Sequence, residues 1–260
     1  MRGSRAPHPG GGGGKGYLKG ALAAGTFRVG ETVATSTVEQ YLKIIYQQYQ
    51  RSQSDVVQMK QLADAMGVTP GTATSMVKYL HREGYIRYTP RRGVELLDAG
   101  LKLALSIVRR HRLIETFLER VLGYDWTEVH QEAEQLEHAV SDLFVTRLDE
   151  YLGYPTADPH GDPIPTEDGR IETRPSYLLC RAEVGATVEI VRLREDSREF
   201  LDLMKQRGLV PREQLRVESV DEVARVVTVK HEQSQEPFSM SYDLAGSILV
   251  RSVAVEPTSP

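Results

Sequence analysis

Residues 62–97, LADAMGVTPGTATSMVKYLHREGYIRYTPRRGVELL, hold helix, turn, helix and hairpin in that order. Apolar spacing starts the first helix at about residue 57, and Gly67 ends it. Thr69 is placed to cap the next helix with Pro70 in its first turn, and that helix runs to about residue 83. Gly84 breaks it. Residues 85–88 and 94–97 then read as two short strands around a turn at 90–93. Upstream, residues 36–49 form a further helix, because Val38, Tyr41, Leu42, Ile45 and Tyr46 recur at helical spacing and Ser36 with Glu39 matches a capping box. Two helices, a tight turn, a third helix and a hairpin make a winged helix-turn-helix.

On the third helix Ala73, Val77 and Leu80 share one face and are expected in the core. The opposite face, with Thr69 and Pro70 at its start, carries Gly71, Thr72 and Ser75, then Lys78 and Arg82. Small polar groups near the N-terminus suit base edges in a major groove, and cations near the end suit phosphate. Arg87, Arg91 and Arg92 on or beside the hairpin suit backbone or minor-groove contact. The charge distribution agrees. The 260-residue chain has a net charge of −4, yet residues 34–96 hold 8 Lys+Arg against 5 Asp+Glu, whereas residues 97–155 hold 6 against 11. A basic module beside an acidic one fits phosphate contact in the first and cation binding in the second. Double-stranded DNA is the expected partner.

Residues 98–121 read as a long helix with Leu101, Leu105, Val108, Ile114, Phe117, Leu118 and Val121 on its apolar side. Residues 126–151 read as another, with an apolar stripe of Leu136, Val140, Leu143, Phe144 and Leu148. Excess apolar surface on such a pair predicts a homodimer, which suits a DNA reader with paired half-sites. Within the second helix, His130, Glu134, Glu137 and His138 are spaced to share one side. Further donor pairs are His111 with Glu115, Asp158 with His160, and Asp196 with Glu199. Imidazoles and carboxylates without thiolates favour Mn(II) or Fe(II), although affinity alone ranks Zn(II) higher. Glu/His-rich faces are commonly just solvated, and spacing alone does not bring these sets together.

Residues 155–176 hold five prolines and read as a linker, or as an ordered loop around YPTADPHGDPIP. From residue 177 onward short alternating runs (VEIVRL, QLRVESV, ARVVTVK, FSMSYD, SILVRSVAV) describe a β-barrel of about five strands, interrupted by one helix at 197–206. The single cysteine, Cys180, excludes an intrachain disulfide framework. No apolar run is long enough to span a membrane, residues 1–33 read as a flexible tail and a poor signal peptide, and a bacterial cytoplasmic location is expected.

The chain resembles the diphtheria toxin repressor and manganese transport regulator family of metal-dependent transcriptional repressors over about residues 34–255. The resemblance is carried by TVEQYLKIIY, LADAMGVTPGTATSMVKYLHREGYI, RRHRLIETFL, VHQEAEQLEHAVSD, PHGDPIP and SREFLDLMKQRGL. It implies a mainly α fold with a small β domain: a winged helix-turn-helix at 34–97, a helical metal-binding and dimerisation domain at 98–154, the Pro-rich segment, and an SH3-like β-barrel at 177–255. It further implies repression of metal-uptake genes at a palindromic operator when Mn(II) or Fe(II) is bound. By position, a primary metal site falls on Gln40, Glu134, Glu137 and His138. An ancillary site falls on His111, Glu115 and His130, with Asp158, His160, Asp196 and Glu199 as further donors.

Two residues depart from the family pattern. Gln40 stands where Met or Asp is usual, and Lys43 stands where the binuclear manganese type has Glu. Gln40 can ligate only through a neutral carbonyl, and a protonated Lys43 repels a cation. A weaker or single-ion primary site follows. The alternatives are a winged-helix regulator whose degenerate site answers another signal, and a metallohydrolase. Against the latter stands the lack of any nucleophile elbow, HExxH or phosphate loop.

Overall fold

The computed structural model describes residues 27–29, 32–52, 54–172, 175–232 and 236–253. Most of the expected flexible tail lies outside these residues. Its last part is β1 (Phe27–Val29) paired antiparallel with β2 (Thr32–Ala34).

The DNA module follows the predicted order. It consists of α1 (Ser36–Ser52), α2 (Met59–Ala65), α3 (Pro70–Arg82), β3 (Ile86–Thr89) and β4 (Gly93–Leu96). Thr69 caps α3 by accepting a hydrogen bond from the Thr72 amide at 3.3 Å. Helix α2 starts later than the apolar spacing implies. Val57 instead exchanges two 2.9 Å backbone hydrogen bonds with Val94 of the wing, and Gln58 caps α2. Ala73, Val77 and Leu80 are fully buried, as their shared face requires.

The Ser36–Glu39 capping box does not form. Thr35 takes the cap position, its hydroxyl accepting from the Val38 amide at 3.4 Å, and Glu39 turns into the interior.

Helix α4 (Asp98–Arg120) is about 35 Å long at 1.5 Å per residue. Its first half, through Leu103, Ala104, Ile107 and Val108, belongs to the core of the DNA module. Its second half, through Leu113, Ile114 and Leu118, packs with Val129, Ala133, Val145 and Leu148. One rigid rod therefore runs through both cores. Leu101 and Val121, expected on the apolar side, are exposed.

The single helix expected over 126–151 is two: α5 (Val129–Leu136) and α6 (Asp142–Leu152). The break has a local cause. Ser141 is extended (ψ 160°) and accepts a hydrogen bond from the Phe144 amide at 3.2 Å, starting a new helix and ending the old one. The pattern hid this because Ala139 and Val140 continue the apolar spacing. His138 consequently lies in a turn, and the four residues 130, 134, 137 and 138 do not share one helical face.

Residues 155–172 form the ordered loop. Ala157 bridges to Pro163, Gly161 adopts φ 84°, and the His160 carbonyl accepts from the Leu193 amide at 3.1 Å. Arg112 holds the loop from α4, donating to the Pro163 carbonyl at 2.6 Å and to Asp162 at 2.9 Å.

Among the described residues the last domain has six strands, against about five expected: β5 (Tyr177–Leu178), β6 (Thr187–Leu193), β7 (Gln214–Asp221), β8 (Val226–His231), β9 (Phe238–Ser241) and β10 (Ile248–Ser252). They run in the order β5-β10-β6-β7-β8-β9 without closing. The outer strands β5 and β9 have two and four residues and pair on one side only, so the sheet is SH3-like but open. Helix α7 (Arg198–Gln206) covers it with Phe200, Leu201 and Met204. No helix among the described residues is long and apolar enough to cross a membrane.

Candidate metal centre and nucleic-acid interface

The centre is built where α1, α4, α5, the 137–141 turn and the 155–172 loop meet. His111 and Glu115, one turn apart on α4, lie 2.9 Å from each other (Nε2 to Oε1). His130 of α5 brings Nδ1 to 3.1 Å from the same Glu115 oxygen and 3.0 Å from His111 Nε2. The other oxygen of Glu115 lies 4.0 Å from His160 Nδ1. Among the described residues, two sets of three donors converge, His111–Glu115–His130 and Glu115–Asp158–His160. Glu115 is common to both. A cleft lined by these residues and by Asp196 opens towards solvent between α1, α4 and the SH3-like domain.

Burial pulls the His111 pKa down, but the Glu115 charge and hydrogen bonds to Glu115 and Glu137 outweigh it and raise the value to about 9. Burial pushes Glu115 up, yet the imidazoles around it hold its carboxyl well below the ordinary range. Asp158 goes the other way: burial and the charges of Asp162 and Glu115 raise it well above that range.

These donors fit a divalent cation. His111 hydrogen-bonds Glu137 through Nδ1 at 2.6 Å, which leaves Nε2 for a ligand role, the usual way a carboxylate orients a metal-binding imidazole. The three converging atoms stand about 3 Å apart, the spacing of adjacent donors around a six-coordinate ion with bonds of about 2.1 Å.

The set expected to form a primary site behaves differently. Gln40 Oε1 does meet His138, at 3.1 Å from Nε2. His138 Nε2 lies 3.3 Å from Glu137 Oε1, while its Nδ1 binds Glu39 at 2.7 Å. Glu134, Glu137 and His138 do not converge as a triple. Lys43 stands among them, donating to both oxygens of Glu137 at 2.8 Å and lying 3.6 Å from Glu134.

Sequence reasoning missed Glu39, whose apparent capping role disguised it. The signal was its spacing: Glu39 and Lys43 are one turn apart on the buried face of α1, an unusual place for two charges. Glu39 is also 3.6 Å from Arg110 of α4. The expected barrel donors do not join the centre. Asp196 forms an ion pair with Arg51 at 3.0 Å, and Glu199 is exposed in the first turn of α7. Here the SH3-like domain presents the end of β6, where the Leu193 amide holds the 155–172 loop instead.

On the other side of the DNA module, Thr69, Pro70, Gly71, Thr72, Ser75, Lys78, Arg82, Arg91 and Arg92 are all exposed. Arg92 and Arg87 lie 3.5 and 3.1 Å from Glu95 on the wing, and Arg91 takes φ 68° at its tip. Arg82 packs over the Tyr79 ring. The free face of α3 is therefore polar at its start and cationic towards its end.

Family models match the three parts in sequence. "Iron dependent repressor, N-terminal DNA binding domain" covers residues 34–94, "Iron dependent repressor, metal binding and dimerisation domain" residues 97–166, and "FeoA domain" residues 177–252. The iron-dependent repressor IdeR of Mycobacterium tuberculosis is 30% identical over 220 residues, across 79% of this chain and 94% of that protein. The chain belongs to the diphtheria toxin repressor family of metal-dependent transcriptional repressors. The diphtheria toxin repressor of Corynebacterium efficiens is 34% identical over 130 residues, 50% of this chain and 55% of that one. Among solved structures, a manganese-dependent transcriptional repressor in complex with manganese is 37% identical, with a TM-score of 0.75 over 83% of this repressor and 100% of that chain. ScaR with bound Cd2+ is 32% identical, with a TM-score of 0.72 over 83% and 99%. As a family member, this repressor carries a DNA-binding and a dimerisation domain and is no enzyme.

Proposed function

We propose that this repressor answers Mn(II) or Fe(II) in a bacterial cytoplasm, binds a palindromic operator as a homodimer, and controls metal-uptake genes. The observation that carries the metal reading is the convergence of His111 Nε2, Glu115 Oε1 and His130 Nδ1 at about 3 Å. Asp158 and His160 supply further donors. Gln40, Glu134, Glu137 and His138 surround the neighbouring position. The absence of thiolate donors favours the harder ions, and the manganese complex of the 37% identical relative supports the same choice.

When bound, the ion supplies positive charge that lets buried carboxylates and imidazoles from three elements share one small volume. The chain's own residues carry the effect to DNA. Gln40 and Glu39 on α1 meet His138 in the 137–141 turn, so the reading head and the dimerisation helices are joined side chain to side chain. His111 links Glu137 to Glu115 through opposite edges of one ring. Ordering this chain of contacts fixes α1, and with it α3, relative to the partner subunit. The exposed apolar groups Leu136, Leu143, Phe144 and Tyr151 mark the face we assign to the dimer. Two α3 helices then address half-sites about one DNA turn, roughly 34 Å, apart.

We divide the chain accordingly into a reading domain at 34–97, a metal and dimerisation domain at 98–154, a Pro-rich connecting segment at 155–176 and an SH3-like domain from 177. An operator titration in Mn(II), Fe(II) or Zn(II), each against chelator, tests the function. The expected result is tight binding with Mn(II) or Fe(II) and at least about fivefold weaker binding with chelator, the lower range of allosteric coupling. Equal binding in all four conditions would refute it.

A further inference from the structure

Lys43 is among the largest fully buried side chains of the molecule. Burying an ammonium is expensive unless opposite charge and hydrogen bonds surround it. Here they do. Both oxygens of Glu137, itself fully buried, accept from Nζ at 2.8 Å. Glu134 Oε1 lies at 3.6 Å and His111 Nδ1 at 3.2 Å. His111, turned to Glu137 through the same Nδ1, is no counter-charge to the ammonium; the two carboxylates are, and carboxylates around one positive centre form the kind of shell that holds a divalent ion. Yet Glu134, Glu137 and His138 do not converge on open space as the Glu115 set does.

The direction of approach matters as much as the contacts. The lysine stem comes from α1, in the reading domain, while its carboxylate shell comes from α5 and the turn after α5. The ammonium therefore ties the two domains together at a point where a family pattern with a carboxylate at position 43 would leave room for an ion. His111 stands between the two positions: Nδ1 faces Lys43 and Glu137, and Nε2 faces Glu115 and His130.

We propose that the Lys43 ammonium is a resident cation in the Glu134–Glu137 shell, so that each chain takes up one divalent ion, at the Glu115 centre, rather than two. The proposal rests on the metal-responsive reading above. It means that half of the link between reading head and dimerisation domain is closed before any metal arrives. The ion then completes the other half.

The test counts ions. The full-length protein is stripped with chelator, equilibrated with Mn(II), dialysed and assayed for manganese per chain by elemental analysis. Mn(II) electron paramagnetic resonance on the same samples detects coupling between neighbouring ions. Wild type is expected to hold one ion with an uncoupled spectrum. Lys43→Met keeps the length of the stem, removes the charge and frees both carboxylates, and should hold two ions with a coupled spectrum. If Lys43→Met does not fold, Lys43→Gln serves, and the wild-type count decides independently of either.

Two ions in wild type, or one ion in both wild type and a folded Lys43→Met protein, would overturn the proposal. No ion in wild type but one in Lys43→Met would keep Lys43 as the resident cation and refute the Glu115 centre as the metal site. No ion in either protein would refute both.

Discussion

Replacing Glu115 by alanine removes the group on which the metal centre turns. The carboxylate is 2% exposed and lies against His111 at 2.9 Å and His130 at 3.1 Å, with His160 4.0 Å from its second oxygen. Two losses follow. In metal-free protein the imidazole of His111, raised from 6.5 to about 9, loses its principal counter-charge. A displacement of that size is worth about 3 kcal/mol, part of it supplied by Glu137. Breaking a buried pair by removing one member costs about 3–5 kcal/mol, and the lower end applies because His111 can lose its proton. At about 2–4 °C per kcal/mol the melting temperature in chelator should fall by about 6–12 °C. In the metal-bound state both converging triples lose their common donor, so Mn(II) affinity should fall at least about 100-fold, the upper range for loss of a mere supporting group. Thermal melts with and without Mn(II), and calorimetric titration of Mn(II) into the stripped protein, measure both. Glu115→Gln, similar in shape but neutral, should show the affinity loss with a smaller change in melting. Mn(II) affinity within about threefold of wild type would refute the assignment of Glu115 as the shared donor, whatever the melting shift.

Three further outcomes are expected. Lys78→Ala, on the exposed face of α3, should weaken binding to all DNA sequences about equally and reduce the salt slope by about 1; loss of preference between operators without a change in slope would contradict the phosphate role. Gly161→Ala places a methyl 2.0 Å from the Val191 carbonyl at φ 84°, so the loop should lift from β6 at a cost of at least about 2 kcal/mol, seen as faster amide exchange at His160 and Leu193; unchanged exchange would show that the loop is seated otherwise. In chelator, stability should depend on pH in a defined sense. The folded pKa of His111 lies above 6.5, so its contribution is complete below about 6.5 and lost as pH rises through about 9, whereas the depressed Glu115 and Glu137 contribute above about 4.5 and lose their effect as pH falls. Mn(II) affinity should run the opposite way at the alkaline side, rising towards pH 9 because the His111 Nε2 proton must leave. A pH-independent melting temperature between 6 and 9 would count against the raised His111.

Local sequence alone determined much of this protein. Thr69 before Pro70, Gly67 and Gly84 at helix ends, and the spacing of Ala73, Val77 and Leu80 define the winged helix-turn-helix, because capping, backbone freedom and a 3.6-residue period are properties of a few neighbouring residues. The pair His111–Glu115 was legible for the same reason: both sit one turn apart on an uninterrupted helix. What sequence could not decide were contacts between residues far apart in the chain. Helix α5 stops before His138 because Ser141 finds a backbone donor, a competition between two local structures that apolar spacing does not register. Glu39 looked like a cap and became a partner of His138, 99 residues away. Asp196 looked like a donor and became a partner of Arg51. Lys43 was visible as a departure from the family pattern, but its meaning came only from the fold. A buried charge is defined by what surrounds it, and the carboxylates that surround this one arrive from another domain.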